Sequence, residues 1–169
     1  MTISMYAASV PVFMQLLGGL NDVLAKANAH AIERKIEAGA LLHARLFPDM
    51  FTLQKQVEVA VDFAQGIGAR LAGAEVPTSM ETGAGFEGLQ ARIAAALSFL
   101  SALDAQAFAA SEQREIVLRP GTPKERKLNG QSYLLNYGLP QFFFHVTTAY
   151  AILRHSGVAI GKRDYMGAY

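Results

Sequence analysis

A chain of 169 residues has the length of one compact domain, and with 51% hydrophobic against 17% charged residues it can build a sizeable core and is not disordered. Its 15 basic and 14 acidic residues leave a formal net charge of +1, which gives no global electrostatic case for nucleic acid or for an anionic membrane. The absence of cysteine excludes disulfides, thiolate metal sites and cysteine nucleophiles, and fits a cytoplasmic protein.

No lysine or arginine precedes Lys26, so the charged leading region of a secretory signal is missing and a mature cytoplasmic start is expected. Within residues 10–27, Phe13, Leu16, Leu17, Leu20, Val23, Leu24 and Ala27 recur at spacings of three and four, with Gln15, Asp22 and Lys26 on the other face. This predicts a first helix, with Pro11 in its first turn, Ser9 as its N-cap and a further turn over residues 4–8. Residues 32–46 read as a helical or partly helical connection, broken at Gly39 and closed by Pro48. A second helix is expected from Asp49 or Thr52 as cap to Ala72, stopped by Gly73. At 100° per residue, its apolar side chains from Leu53 to Leu71 fill an arc of about 160°. Gln56 lies inside that arc, whereas Glu58, Asp62 and Gln65 lie outside it.

Residues 74–85 read as a loop, and a third helix follows on the stripe Phe86, Leu89, Ile93, Leu97 and Leu100, prolonged by an Asp104-capped turn to Phe108. Residues 115–119 and 124–128, joined by Pro-Gly-Thr-Pro, predict a short two-stranded hairpin that must pack on helices. From Asn129 the chain returns to helix, with Gly138-Leu139-Pro140 expected to kink or divide it, and ends near His155. The most apolar window, residues 139–153, is interrupted by polar groups and shorter than the roughly 20 residues needed to cross a bilayer. The tail from Gly157 is expected to be too glycine-rich for helix but apolar enough to dock. These elements predict one all-α domain over residues 1–169: a four-helix up-down bundle with a short β-hairpin before its last helix.

Polar groups on inward faces are the candidates for chemistry. Gln141 and His145 are four apart and share a face of the last helix with Thr148, Ala149 and Ile152, flanked by Phe142. Together with Gln56 they are expected to converge between the second and last helices, as a pocket or as a hydrogen-bonded core cluster. Burying them unpaired costs on the order of a few kcal/mol. As a metal site the trio is poor, because a carboxamide oxygen is a weak neutral ligand. His43 and Asp49 can enter the same pocket as ligands or as an acid/base pair, although Asp49 has a simpler role as a helix cap. His30 is expected to be solvated in a charged linker, and His155 to satisfy carbonyls at a helix end. Tyr133, Tyr137 and Tyr150 are expected in the core with a wet tip. The basic residues of the hairpin and tail are too few for a nucleic-acid surface, and Gly18-Gly19 suggests close helix contact.

The segments SMYAASVPVFMQLLG, ARLFPDMFTLQKQVEVAVDFAQG and LPQFFFHVTTAYAILRHSGVAIGKRDYMG resemble, over the whole chain, a bacterial branch of the DinB/YfiT-like metalloenzyme superfamily defined as a domain of unknown function. The resemblance implies a four-helix bundle in which a histidine on helix two and an HxxxH pair on helix four hold a divalent metal; some members are thiol-dependent transferases or isomerases. In this chain the second histidine of the pair matches His145, the first falls on Gln141 and the helix-two ligand on Gln56. One imidazole and two carboxamides imply a degenerate site, so no cofactor is expected, with zinc or nickel at His145 as the alternative. Three functions follow as expectations: small-ligand binding in a polar pocket, a metal-dependent transferase or hydrolase using His145, or a homodimeric interaction protein pairing near Gly18-Gly19.

Overall fold

The computed structural model describes residues 3–78 and 83–169. Four long helices, α1 (Val10–Arg34), α3 (Leu53–Ala72), α4 (Gly85–Ser101) and α6 (Leu139–His155), pack as a bundle; α3 lies chiefly against α6 and α1 against α4. Their apolar stripes form the core: Phe13, Leu17, Leu24, Leu53, Ile67, Leu71, Ile93, Leu100, Phe142 and Ile152 are fully buried. No described helix is long and apolar enough to cross a membrane.

Helix α1 continues seven residues beyond the end expected at Ala27, because residues 28–34 contain no glycine or proline and Ala31 prolongs the buried stripe. It stops where Lys35 turns left-handed (φ +54°) and the Ile36 N–H bonds the Ala31 carbonyl at 2.8 Å. His30 is therefore a half-buried residue of α1 and not part of a linker. The turn before α1 forms, with Val10 N–H on the Tyr6 carbonyl. Ser9 does not cap the helix with its side chain; its hydroxyl donates backwards to the Met5 carbonyl at 2.6 Å.

After the one-turn helix α2 (Ala38–Leu42), Arg45 donates to the carbonyls of Pro48 and Met50 and folds the connection into α3. Thr52, not Asp49, caps α3 by accepting from the Lys55 N–H. At the other end Gly73 takes φ +71°, which only glycine adopts without strain, and Arg114 donates to the free Leu71 carbonyl. Of the loop expected over residues 74–85, residues 79–82 lie outside the described residues. The rest is irregular up to Gly85, the first residue of α4.

Strands β1 (Glu115–Leu118) and β2 (Arg126–Asn129) pair antiparallel, with Glu115 opposite Asn129 and Leu118 opposite Arg126. One turn of helix, α5 (Gly130–Ser132), leads into a wide turn over Tyr133–Gly138 and then α6. Proline at 140 has no N–H to give the preceding turn, and the chain answers by widening rather than breaking. Leu139 N–H reaches back five residues to Leu134, and the backbone stays right-handed throughout.

The tail was expected to be non-helical, yet residues Lys162–Met166 form a helix, α7, packed on α1. The Asp164 carboxylate accepts from the Gly161 N–H at 2.7 Å and meets Lys26 at 2.5 Å, so one side chain starts the helix and ties it to α1. A Cβ at Gly19 would lie 2.9 Å from the Tyr165 carbonyl oxygen, so the bare backbone of Gly19 accommodates this tail. Half of the Gly18-Gly19 segment expected to face a second copy is thus already covered within the chain.

Candidate functional site

Two long helices bring the central pair together. Gln56, in the second turn of α3, is 1% exposed, and His145, midway along α6, is 7% exposed. Nδ1 of His145 lies 2.6 Å from Oε1 of Gln56. Gln56 Nε2 donates to the Phe51 carbonyl at 3.3 Å, and since a carbonyl only accepts, that bond sets which way the amide points. Oε1 therefore faces the imidazole and Nδ1 carries the ring proton. Nε2 is left as the unprotonated nitrogen, with no hydrogen-bond partner among the described residues.

Aromatic side chains surround the ring. Phe51 and Phe63 lie nearly parallel to it, with centroids at 6.4 and 5.8 Å, and Phe144 stands edge-on at 5.2 Å. Burial in this setting pushes the imidazole below the usual histidine range, so the neutral form prevails at neutral pH. Phe51 and Phe144 are themselves exposed and form the rim. Sequence periodicity placed Phe63 inward but gave no sign that Phe51, in a loop, would meet His145.

The other candidates go elsewhere. Gln141 is half-buried and lines a cavity of about 540 Å³ with Lys124, Glu125 and Arg126 of the hairpin; no hydrogen bond joins it to His145 among the described residues. His43 and Asp49 are exposed, and neither bonds to Gln56 or His145 among the described residues. Thr148 donates to the Phe144 carbonyl at 2.7 Å, which leaves its hydroxyl internally satisfied. Tyr133 is 1% exposed and receives Nη1 of Arg70 at 3.3 Å. Burial pushes the phenol above its usual range, and the Arg70 charge opposes this. Arg70 was not singled out in the sequence; its spacing of four from Gly66, whose carbonyl it bonds, was the available signal. Tyr150 packs edge-on against Tyr165 of the tail, and His155 is exposed.

A four-helix bundle with a hairpin ahead of its last helix is the architecture of the DinB-like class. The chain belongs to the DUF1993 family, a domain of unknown function, whose profile matches residues 5–166. It is similar to the crystal structure of a DinB family member protein from Shewanella denitrificans, with 35% identity, a TM-score of 0.90, and coverage of 98% of this chain and 93% of that one. No curated protein matches it.

The resemblance implies a divalent metal, but the donor set does not fit one. Among the described residues no group of three or more His, Cys, Asp or Glu side chains is arranged to hold a metal ion. Among the described residues the Gln56 oxygen is the side-chain donor beside the imidazole, and it is engaged by the ring N–H.

Burial of a neutral histidine also makes stability depend on pH. The unfolded chain protonates His145 near its ordinary value of 6.5, and the folded chain only at lower pH. Below that value the unfolded state binds more protons, so the contribution is complete above 6.5 and is lost as pH falls through the folded pKa. Urea midpoints at about pH 7.5 and about pH 5.5 should differ less in His145→Gln than in the wild type. Identical pH dependence in the two proteins would show that His145 carries no such linkage.

Proposed function

We propose that this chain binds a small molecule at the Gln56–His145 pair, in a pocket that works without a metal. The observation that supports this reading is the fixed tautomer: Gln56 occupies Nδ1, leaving a neutral Nε2 lone pair among apolar rings. A lone pair in that setting accepts a hydrogen bond from an N–H or O–H of a ligand, and the exposed rings of Phe51 and Phe144 pack against its apolar part. The same nitrogen is placed to accept a proton, which supports a second reading as an enzyme with His145 as general base. In that case His145→Ala abolishes turnover without unfolding the chain.

The test is elemental analysis of untagged protein purified without chelator, with calorimetric titration of zinc, nickel and manganese. We expect no bound metal and no titration heat, and a nitrogen NMR spectrum in which Nδ1 carries the proton of His145. A near-stoichiometric metal that is lost in His145→Ala would overturn the metal-free reading in favour of a metal-dependent transferase or hydrolase.

A further inference from the structure

A cavity of about 240 Å³ lies between α3, the end of β1 and the wide turn before α6. Phe63 separates it from the His145 ring, and neither Gln56 nor His145 lines it. Three polar groups meet there with unused hydrogen-bonding capacity. Arg70 is half-buried, and its hydrogen bonds among the described residues all leave from Nη1, to the Gly66 carbonyl at 3.0 Å and the Tyr133 hydroxyl at 3.3 Å. Its Nε and Nη2 have no acceptor among the described residues. Among the described residues no carboxylate forms an ion pair with it, and Asp62, on the same wall, is engaged by Arg92 at 2.5 Å.

The Tyr133 oxygen accepts from Arg70, so the phenolic proton remains to be donated. Arg119 supplies the third group, from the tight turn between the strands. It sits at φ +51°, a conformation that favours glycine, and its carbonyl accepts from the N–H and hydroxyl of Thr122. Apolar walls complete the cavity: Phe63 and Tyr137 stand 5.9 Å apart, inclined at 63°.

Guanidinium N–H groups beside a free phenolic O–H match the donor pattern that receives a carboxylate. An apolar cavity of about 150 Å³ accepts benzene, so this one has room for a ring that carries such a group. We propose that the cavity binds a small monocarboxylate with a flat apolar body. Its carboxylate lies against Arg70, the Tyr133 hydroxyl and Arg119, and its ring against Phe63 and Tyr137. Inorganic phosphate has no apolar body to set against Phe63 and Tyr137, so the cavity favours the carboxylate that carries a ring. This site does not rest on the reading of His145.

Benzoate is the probe, with benzamide as its neutral counterpart and inorganic phosphate as the competing anion, followed by calorimetry and by NMR of the Tyr133 ring. The wild type should bind benzoate about tenfold or more tighter than benzamide, and phosphate should not displace it. Arg70→Gln should weaken benzoate binding about tenfold. Because Arg70 also holds the Gly66 carbonyl, Arg119→Gly provides a variant that suits its backbone. It should weaken binding roughly two- to fivefold, as for an exposed charge, and keep the wild-type melting temperature. Absence of benzoate binding, equal affinity for benzamide, displacement by phosphate, or unchanged affinity in Arg119→Gly would each overturn the proposal.

Discussion

Phe142→Ala is expected to remove about 3–5 kcal/mol of stability, the cost typical of deleting a large aromatic side chain from a packed core. Phe142 is 0% exposed, and its ring meets that of Phe13 edge-to-face at 4.8 Å, so it joins α6 to α1 across the centre of the bundle. Such a loss is a large part of the roughly 5–15 kcal/mol that holds a domain of this kind together. For a chain of this length it lowers the melting temperature by roughly 6–20 °C. The neighbouring ring is the control: Phe143 is 36% exposed, and its replacement by alanine should change stability by less than about 1 kcal/mol. Urea unfolding of the two variants measures the difference. Equal losses would show that the periodicity of α6 does not set which phenylalanine is in the core.

That contrast also shows what was legible in the sequence. Three successive phenylalanines are chemically identical, and helical period alone separates the buried one from its neighbours. The same helical period turned Gln56 and His145, 89 residues apart in the chain, inward from their two helices, and their meeting required only that α3 and α6 be neighbours. Period fails where there is no period. His43 and Asp49 flank a connection whose course is set by Arg45 and backbone carbonyls, and nothing in their spacing reports that. Gln141 shares the face of His145 in projection but lies one turn nearer the wide turn, where the hairpin becomes its neighbour. Proline at 140 announced a disturbance without saying that the helix would absorb it. The tail helix was hidden by its glycines; the feature that starts it is one carboxylate, Asp164, three residues after Gly161. The Arg70–Tyr133 contact spans 63 residues and depends on how the wide turn rotates the tyrosine, which no local pattern encodes.

Gln56→Leu is the substitution that separates a polar pair held for structure from one whose free nitrogen is offered to a ligand. Leucine fills much of the glutamine volume but leaves Nδ1–H of His145 without an acceptor in a buried setting, and the expected cost is about 1–3 kcal/mol. Rotating the ring does not rescue it, because the other nitrogen then turns inward and lacks a partner in its place. Removing both polar groups removes the penalty: Gln56→Leu combined with His145→Phe should recover most of the lost stability. The double-mutant cycle should therefore be strongly non-additive, measured as urea midpoints at a pH where the imidazole is neutral. If the double variant is as unstable as the sum of the single ones, the pair acts through shape and not through its hydrogen bond. If stability recovers while a ligand that contacts Nε2 no longer binds, the histidine at 145 is retained for that contact, since an apolar core of the same shape would hold the bundle equally well.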